Sequence, residues 1–445
     1  MRSYVANSKR EMAEMLNAIG VTDMDALFMD IPWDARCKRQ LSLDDGKSEI
    51  EVRRKFDAYD TSAARLPLFM GAGAYRHYIP AVVPALLARS EFYTAYTPYQ
   101  AEMSQGMLQG IFEYQTYMCR LTGMDVSNAS VYDGATACAE TMIALRAATR
   151  KNKILYSAAL HPEYIQTMRT YARFTGFELV EIPFTENGET DLMYAVRHTQ
   201  AAAGMIAASP NFYGVIEDIA QMADFSHTAG ILFVTVSNPL SLGLLKRPGD
   251  VGADFCVGEG QPLGIPLSAG GPYLGFMAAN KTYMRNLPGR IVGQTEDAWG
   301  NRAFVLTLQA REQHIRREKA SSNICSNQSL CALTAAMYLG AMGPAGLKEV
   351  ALQCLQKAHY LYDGIHSIPA FAARYPKSAF FHEFVTDYKG DAIALNSKLK
   401  EKGFIGGLPL CRYFKGDTGL LFCATEVLTR SEIDGFLNAL EVAVK

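Results

Sequence analysis

The sequence predicts an α/β fold. A large domain (61–330) on a mainly parallel sheet is preceded by a helical arm (1–60) and followed by a smaller α+β domain (331–445). Two observations carry this reading. Between residues 136 and 278, helical patterns alternate with short apolar runs, as in a parallel sheet covered on both faces. After about residue 331 the alternation stops and two long helical patterns take over.

The elements follow in order. In the arm, Met12, Met15, Leu16 and Ile19 recur at helical spacing and Gly20 reads as the C-terminal cap. MDALFMDIP is a second short turn, stopped by Pro32. Such an arm has too little apolar mass for its own core and is expected to pack on the main body or on a partner. A helix is expected from Met103 to Leu121. The expected strands are KILYS (153–157), FELVEIPF (177–184), GMIAAS (204–209), ILFVTV (231–236), DFCVG (254–258) and GPYLGFMA (271–278). The helices between them are expected at 136–149, 161–175, 191–203 and 218–229. In the last domain, helices at 328–343 and 345–367 break near MGPAG, and strands FFHEFV and GLLFCA flank the helix DAIALNSKLKEKG. Thr429 and Glu432 form a capping box for the final helix.

Composition excludes several function classes. A net charge of −2 argues against a nucleic-acid binder driven by bulk charge. No uninterrupted run of 18 apolar residues suggests a membrane span. The polar N-terminus reads as neither a secretory signal nor a transit peptide, so a cytoplasmic location is expected. Nine cysteines stand singly, without a CxxC pair, which suits reduced thiols and no metal site.

An open α/β sheet binds ligands beyond the C-terminal ends of its strands. VYDGATACAETMIAL (131–145) offers small residues at a helix start, either a phosphate cradle or a tight packing turn. SPNFYGVIEDI (209–219) follows a strand with turn chemistry. In pyridoxal-phosphate enzymes of the aspartate-aminotransferase type (fold type I), a Pro-Asn loop often stands at this point. The next strand then ends in an acid that holds the pyridine nitrogen protonated, and a lysine beyond it carries the cofactor as a Schiff base. Here the acid's place falls on Thr235 or Ser237, and the lysine's place in EGQPLGIPLSAGGP falls on Gln261. An amide cannot form an imine. Lys246 and Lys281, the nearest lysines, read as solvated.

Two further stretches stand out. In YTAYTPYQAEMSQG (93–106), Tyr93, Tyr96 and Tyr99 recur every three residues, as a half-buried surface or as a pocket-lining strip. The basic run with Arg311, His314, Arg316 and Arg317 is either a solvated helix face or a patch for a phosphate, a carboxylate or an acidic partner.

Together MLNAIG, LFMDIP, YTPYQAEMSQG, SVYDGATACAE, GQPLGIPLSAGGP and LPGRIVGQTEDAWGNRAFVLTLQAREQHIRREKASSNIC resemble the P-protein of the glycine cleavage system, over nearly the whole chain. That family occurs as one long chain of two homologous halves or as two subunits, and this chain resembles the N-terminal-half type. The resemblance implies that pyridoxal phosphate sits on a second, His-Lys-bearing subunit, with Gln261 in the lysine's place here. It implies an α2β2 heterotetramer, glycine as substrate and a lipoylated H-protein as the acceptor of the aminomethyl group. It implies no catalytic residue on this chain, a pocket contribution from Thr97, Pro98, Tyr99 and Gln100, and an anion or partner contact from Arg311, His314, Arg316 and Arg317. Two alternatives remain at this point: a self-sufficient enzyme using another lysine, and a non-catalytic structural or regulatory paralogue.

Overall fold

The computed structural model describes residues 7–37, 39, 41–59 and 66–445. The expected domain boundary near residue 60 lies outside the described residues. The chain divides into two units, Met1–Arg65 and Leu66–Lys445. In the first, helices α1 (Lys9–Ile19) and α2 (Glu49–Asp57) each open with a Ser/Glu capping box, and neither buries a residue. Gly20 ends α1 at φ +86°, as its position predicts.

In the second unit, α3 (Gln105–Thr122) leads into a seven-stranded sheet. Its strands are β1 (Val126–Ser127), β2 (Lys153–Ser157), β3 (Glu178–Ile182), β4 (Ala202–Ala208), β5 (Leu232–Val236), β6 (Phe255–Glu259) and β7 (Gly275–Ala279). The spatial order is β1-β7-β6-β5-β4-β2-β3. The pairs from β3 through β6 are parallel, and β7 runs antiparallel to both neighbours. Helices α4 (Gly134–Thr149), α5 (Pro162–Thr175) and α6 (Ile219–Thr228) connect successive strands. Alternate strand residues enter different cores: Leu155, Met205 and Phe233 one, Ile154, Ile206 and Val234 the other. Both faces are thus covered, which explains why the strands read as continuous apolar runs.

A hairpin of β8 (Ile291–Glu296) and β9 (Arg302–Thr307) follows. Then α7 (Ser329–His366) runs for 38 residues with a break at Gly343. Gly343 takes φ +60° and Pro344 follows it, so the interruption falls within MGPAG as expected. This helix is long and apolar enough to cross a membrane, but it packs into the core through residues such as Tyr338, Leu339 and Leu361. A four-stranded antiparallel sheet completes the chain, in the order β10 (Phe371–Ala373), β11 (Glu383–Tyr388), β13 (Gly419–Cys423), β12 (Leu408–Pro409). Helices α8 (Ala392–Glu401) and α9 (Arg430–Val444) pack on it, and α9 opens with the Thr429–Glu432 box.

Four expectations change. The helix at 191–203 is only Leu192–Ala195 with a 3-10 turn Val196–His198. Ala201 turns the backbone at φ +60°, and Ala202 and Ala203 join β4, where burial outweighs alanine's helix propensity. The strand at 271–278 starts only at Gly275, because Gly270 and Gly271 take φ +110° and +140°. The strand FFHEFV becomes β11, starting at Glu383 and reaching Tyr388. The basic run 311–319 is two short turns, Gln313–Arg316 and Arg317–Lys319, divided where Arg317 takes φ +53°.

Candidate functional site

A cleft opens at the C-terminal ends of β4, β5 and β6, where an open α/β sheet places its ligand. Its walls come from the strand-end loops, the 72–75 loop and the start of β11. The cavity holds about 80 Å³, room for a few water molecules.

Gln261 stands in the chain between the lining residues Glu259 and Pro262, behind the cleft surface, and is 1% exposed. Its side-chain oxygen accepts the Tyr75 backbone N–H at 2.9 Å. Its Nε2 donates to the Tyr75 and Ile265 carbonyls at 2.8 and 2.7 Å. The amide therefore ties the β6–β7 loop to the 75 loop with each polar atom used. A lysine could not reproduce this, because it has no acceptor for the Tyr75 N–H.

Two residues before it, Glu259 is also buried. Its Oε1 accepts the Gln261 and Leu274 N–H groups at 2.9 Å each, and its Oε2 accepts the Gly134 N–H at 2.9 Å. Gly134 is the first residue of α4, so this carboxylate sits on the helix N-terminus read as a phosphate cradle. Asp133 caps the same helix by accepting the Thr136 N–H at 2.7 Å. The place of the pyridine-pairing acid holds Thr235 and Ser237, both buried, with their hydroxyls 3.4 Å apart.

The opposite wall is equally committed. Glu383 accepts the Ala72 N–H at 2.6 Å and the Tyr75 hydroxyl at 2.7 Å. His382, fully buried, is held far below the usual imidazole range by desolvation and stays neutral. Gly71 allows close approach here: a Cβ would lie 2.2 Å from Glu383 Oε1. Lys246 and Lys281 are exposed, as expected.

Burial pushes the carboxyls of Glu217, Glu259 and Glu383 up to about 7, against hydrogen bonds that pull them down. Raised carboxyl pKa values mean the folded chain binds protons more readily than the unfolded one. Their penalty is greatest above about pH 7 and relaxes as pH falls towards the unfolded value. Below about 6.5, the depressed histidines His161, His366 and His382 act in the opposite sense. The thermal midpoint is therefore expected to rise as pH falls from about 8 to about 6.5. Melts of Glu383→Gln against wild type check this, since the variant should show a shallower rise.

Two of the expected contact residues, Tyr99 and His314, meet elsewhere, around a residue that the sequence did not mark out. Arg290 is 2% exposed. It donates to the Tyr99 hydroxyl at 3.2 Å, the Cys325 carbonyl at 2.7 Å and Asn327 Oδ1 at 3.2 Å. Its guanidinium also lies 5.4 Å from the Tyr99 ring centroid, a cation–π distance. Glu312, buried, stands 3.8 Å from Arg290 Nε and 3.6 Å from His314 Nδ1. The Tyr99 and His314 rings meet edge-on at 5.2 Å. Of the strip, Pro98 is buried, Thr97 is half-buried, Tyr99 is 44% exposed and Gln100 is exposed. The structure thus brings Tyr99 and His314 together. It separates them from the other members of the basic run: Arg311 turns inward to the Leu287 carbonyl, Arg316 bonds the Ala310 carbonyl at 3.1 Å, and Arg317 is exposed beside Glu140 and Tyr171. Within LPGR, only the flanking glycine and proline hint that Arg290 is special.

Among the described residues, one group collects metal-type donors, His77, Cys354 and Glu426. Its spacings are those of hydrogen bonds: His77 Nδ1 to Glu426 Oε2 at 2.7 Å, and the Cys354 thiol to the same oxygen at 3.2 Å. Lys357, whose ammonium donates to the Glu426 carbonyl, adds a positive charge beside it.

Sheet order, crossovers and cleft position are those of fold type I, the fold of pyridoxal-phosphate-dependent enzymes. Solved structures share it at low identity, among them a sphingosine-1-phosphate lyase from Burkholderia pseudomallei (TM-score 0.66, 13% identity, 92% of this chain and 93% of that one). The family model of the glycine cleavage system P-protein matches residues 2–440, and the chain belongs to that family. It is 51% identical to a probable glycine dehydrogenase (decarboxylating) subunit 1 of Moorella thermoacetica, covering 98% of this chain and 99% of the relative. The corresponding Desulfitobacterium hafniense protein is 48% identical over 97% of this chain and 98% of its own length. A crystal structure of glycine decarboxylase (P-protein) of the glycine cleavage system, in inhibitor-bound form, superposes with TM-score 0.90 at 41% identity, over 99% of this chain and 100% of that one.

Proposed function

We propose that this chain is the subunit without cofactor in a two-subunit glycine dehydrogenase (decarboxylating), and that it completes the active site of a partner carrying pyridoxal phosphate. The observation that carries this reading is Gln261, fully hydrogen-bonded in the wall where a Schiff-base lysine would stand. The rest of the cleft also suits no such cofactor on this chain. Hydroxyls replace the acid that would keep a ring nitrogen protonated, and a carboxylate already occupies the helix N-terminus. The assembly we infer is an α2β2 heterotetramer in the cytoplasm, acting on glycine and passing the aminomethyl group to the lipoyl arm of H-protein.

When bound to the partner, the cofactor supplies an electron-poor ring that takes up the charge released as glycine loses CO2. This chain's residues do the positioning. Arg290, locked by Cys325, Asn327 and Glu312, holds the Tyr99 hydroxyl in place, and His314 packs on the ring's edge. Pro98, buried, anchors the strip while Tyr99 and Gln100 face outward. That arrangement suits a rigid aromatic and polar edge offered to a neighbouring subunit, closing its pocket against water.

The test uses the reconstituted two-subunit enzyme. Tyr99→Ala should lower glycine turnover by about 10- to 100-fold, the scale expected when a positioning contact is lost. Tyr99→Phe, which keeps the ring and loses the hydroxyl, should lower it less. Gel filtration establishes that the complex is intact, and unchanged turnover in that intact complex removes the role given to the strip.

A further inference from the structure

We propose that Glu259 is a built-in anion, filling an oxyanion cup that the fold would otherwise leave open to a phosphate or carboxylate ligand. The proposal rests on the reading that this chain carries no cofactor, and adds what takes the cofactor's place.

Three backbone N–H groups from three separate segments converge on one carboxylate. Gly134 opens α4, Gln261 follows β6, and Leu274 precedes β7. Such convergence is how backbone amides hold an oxyanion, and the start of a sixteen-residue helix adds its dipole. Here the oxyanion is the chain's own. The cup is tight: a Cβ on Gly134 would lie 2.2 Å from the Tyr164 hydroxyl and 2.9 Å from the Glu259 amide nitrogen. A Cβ on Gly275 would lie 2.3 Å from the Asp133 carbonyl oxygen, so β7 clasps the turn from the other side.

Charge points the same way. Among the described residues, the cleft lining includes Glu259 and Glu383 but no lysine or arginine, and Asp133 caps the adjoining helix. A free phosphate entering it would meet two to three carboxylates and no cation. Glu259 therefore closes the site by using the amides and, when ionised, also by repelling a second anion. It also makes the cup a structural joint. With Gln261, it holds the β6–β7 loop, the start of α4 and the 75 loop together without any bound group.

Removing the carboxylate should leave three amides unpaired around a void. Glu259→Gly is expected to lower the thermal midpoint by several degrees, and added sodium formate or phosphate should recover much of the loss, because a ligand bound only by the folded state raises its midpoint. Sodium chloride at equal ionic strength is the control and should recover little. Recovery by formate, by phosphate or by both, beyond the rise the same salt gives the wild type, supports the cup; recovery no greater than that overturns it. The wild-type chain provides a measurement that does not depend on the variant folding. At low millimolar concentration, below the range of general salting-out, phosphate should leave its midpoint where chloride does, and a saturable rise specific to phosphate would show the seat open and overturn the proposal. Neither result depends on where the cofactor's lysine lies, so this idea and the proposed function can fail separately.

Discussion

Arg290→Ala is expected to destabilise the chain by about 3–5 kcal/mol and to remove most glycine turnover in the assembled enzyme. The guanidinium and the Glu312 carboxylate face each other with side chains 3% and 4% exposed. Replacing a buried ion pair with apolar groups can be neutral, but deleting one partner leaves a bare charge out of water. Glu312 is poorly placed to tolerate this, since its Oε1 has no hydrogen-bond partner among the described residues even in the wild type. The same deletion frees the Cys325 carbonyl, Asn327 and the Tyr99 hydroxyl, three groups on two segments that Arg290 joins. Asn327 also donates to Ser130 Oγ at 2.8 Å, so the disturbance reaches the turn that leads into α4. Arg290→Lys keeps the charge but loses the planar fork, and should fall between. Urea denaturation of the free chain reads the stability change. Turnover per intact complex reads the loss of the Tyr99 strip.

Gly214→Ala is expected to cost about 2–5 kcal/mol and to leave little soluble chain, from left-handed strain plus overpacking. Gly214 takes φ +87°, and a Cβ there would stand 1.9 Å from the Glu383 carbonyl oxygen and 2.5 Å from its carbon. Both are backbone atoms of β11, which cannot swing aside as a side-chain tip can. The contact lies where the two sheets meet. Ile216 N–H bonds the Ala379 carbonyl at 2.8 Å, and Val215 bridges Phe380. Asn211 shapes the turn by accepting the Tyr213 and Val215 N–H groups. Pushing Gly214 away from β11 would therefore also displace Glu383 from the 72–75 loop. Gly176→Ala is the control: φ is +73° but nothing lies within 4 Å of the added Cβ, so only about 1 kcal/mol should be lost. Thermal melts of the two variants side by side separate strain from collision.

Much of the fold was legible because the large sheet is buried on both faces. KILYS is β2 to the residue, and ILFVTV and DFCVG differ from β5 and β6 by a residue at their ends. The 191–203 segment misled because alanine favours helices locally, while its last residues are claimed by a fully buried strand. The β8–β9 hairpin was not foreseen; β8 ends in exposed residues, so its apolar signal is short. The site was legible only where a defined slot held the wrong residue type. Gln261, and Thr235 or Ser237, could be noticed because chemistry demands a lysine and an acid there. The groups that make the site were not legible. Tyr75 and Glu383 are 308 residues apart, and Arg290 meets Tyr99 across 191. No local period encodes such contacts; only the crossovers of the sheet bring them together.

The central claim is that the cofactor's lysine lies on another chain. The most direct measurement is borohydride reduction in the presence of pyridoxal phosphate, followed by mass mapping of the labelled peptide, on this chain alone and on the reconstituted pair. The expected result is no active-site label on this chain in either sample, and a single labelled lysine on the partner. A stoichiometric label on a lysine of this chain, formed alone and retained in the complex, would contradict the account.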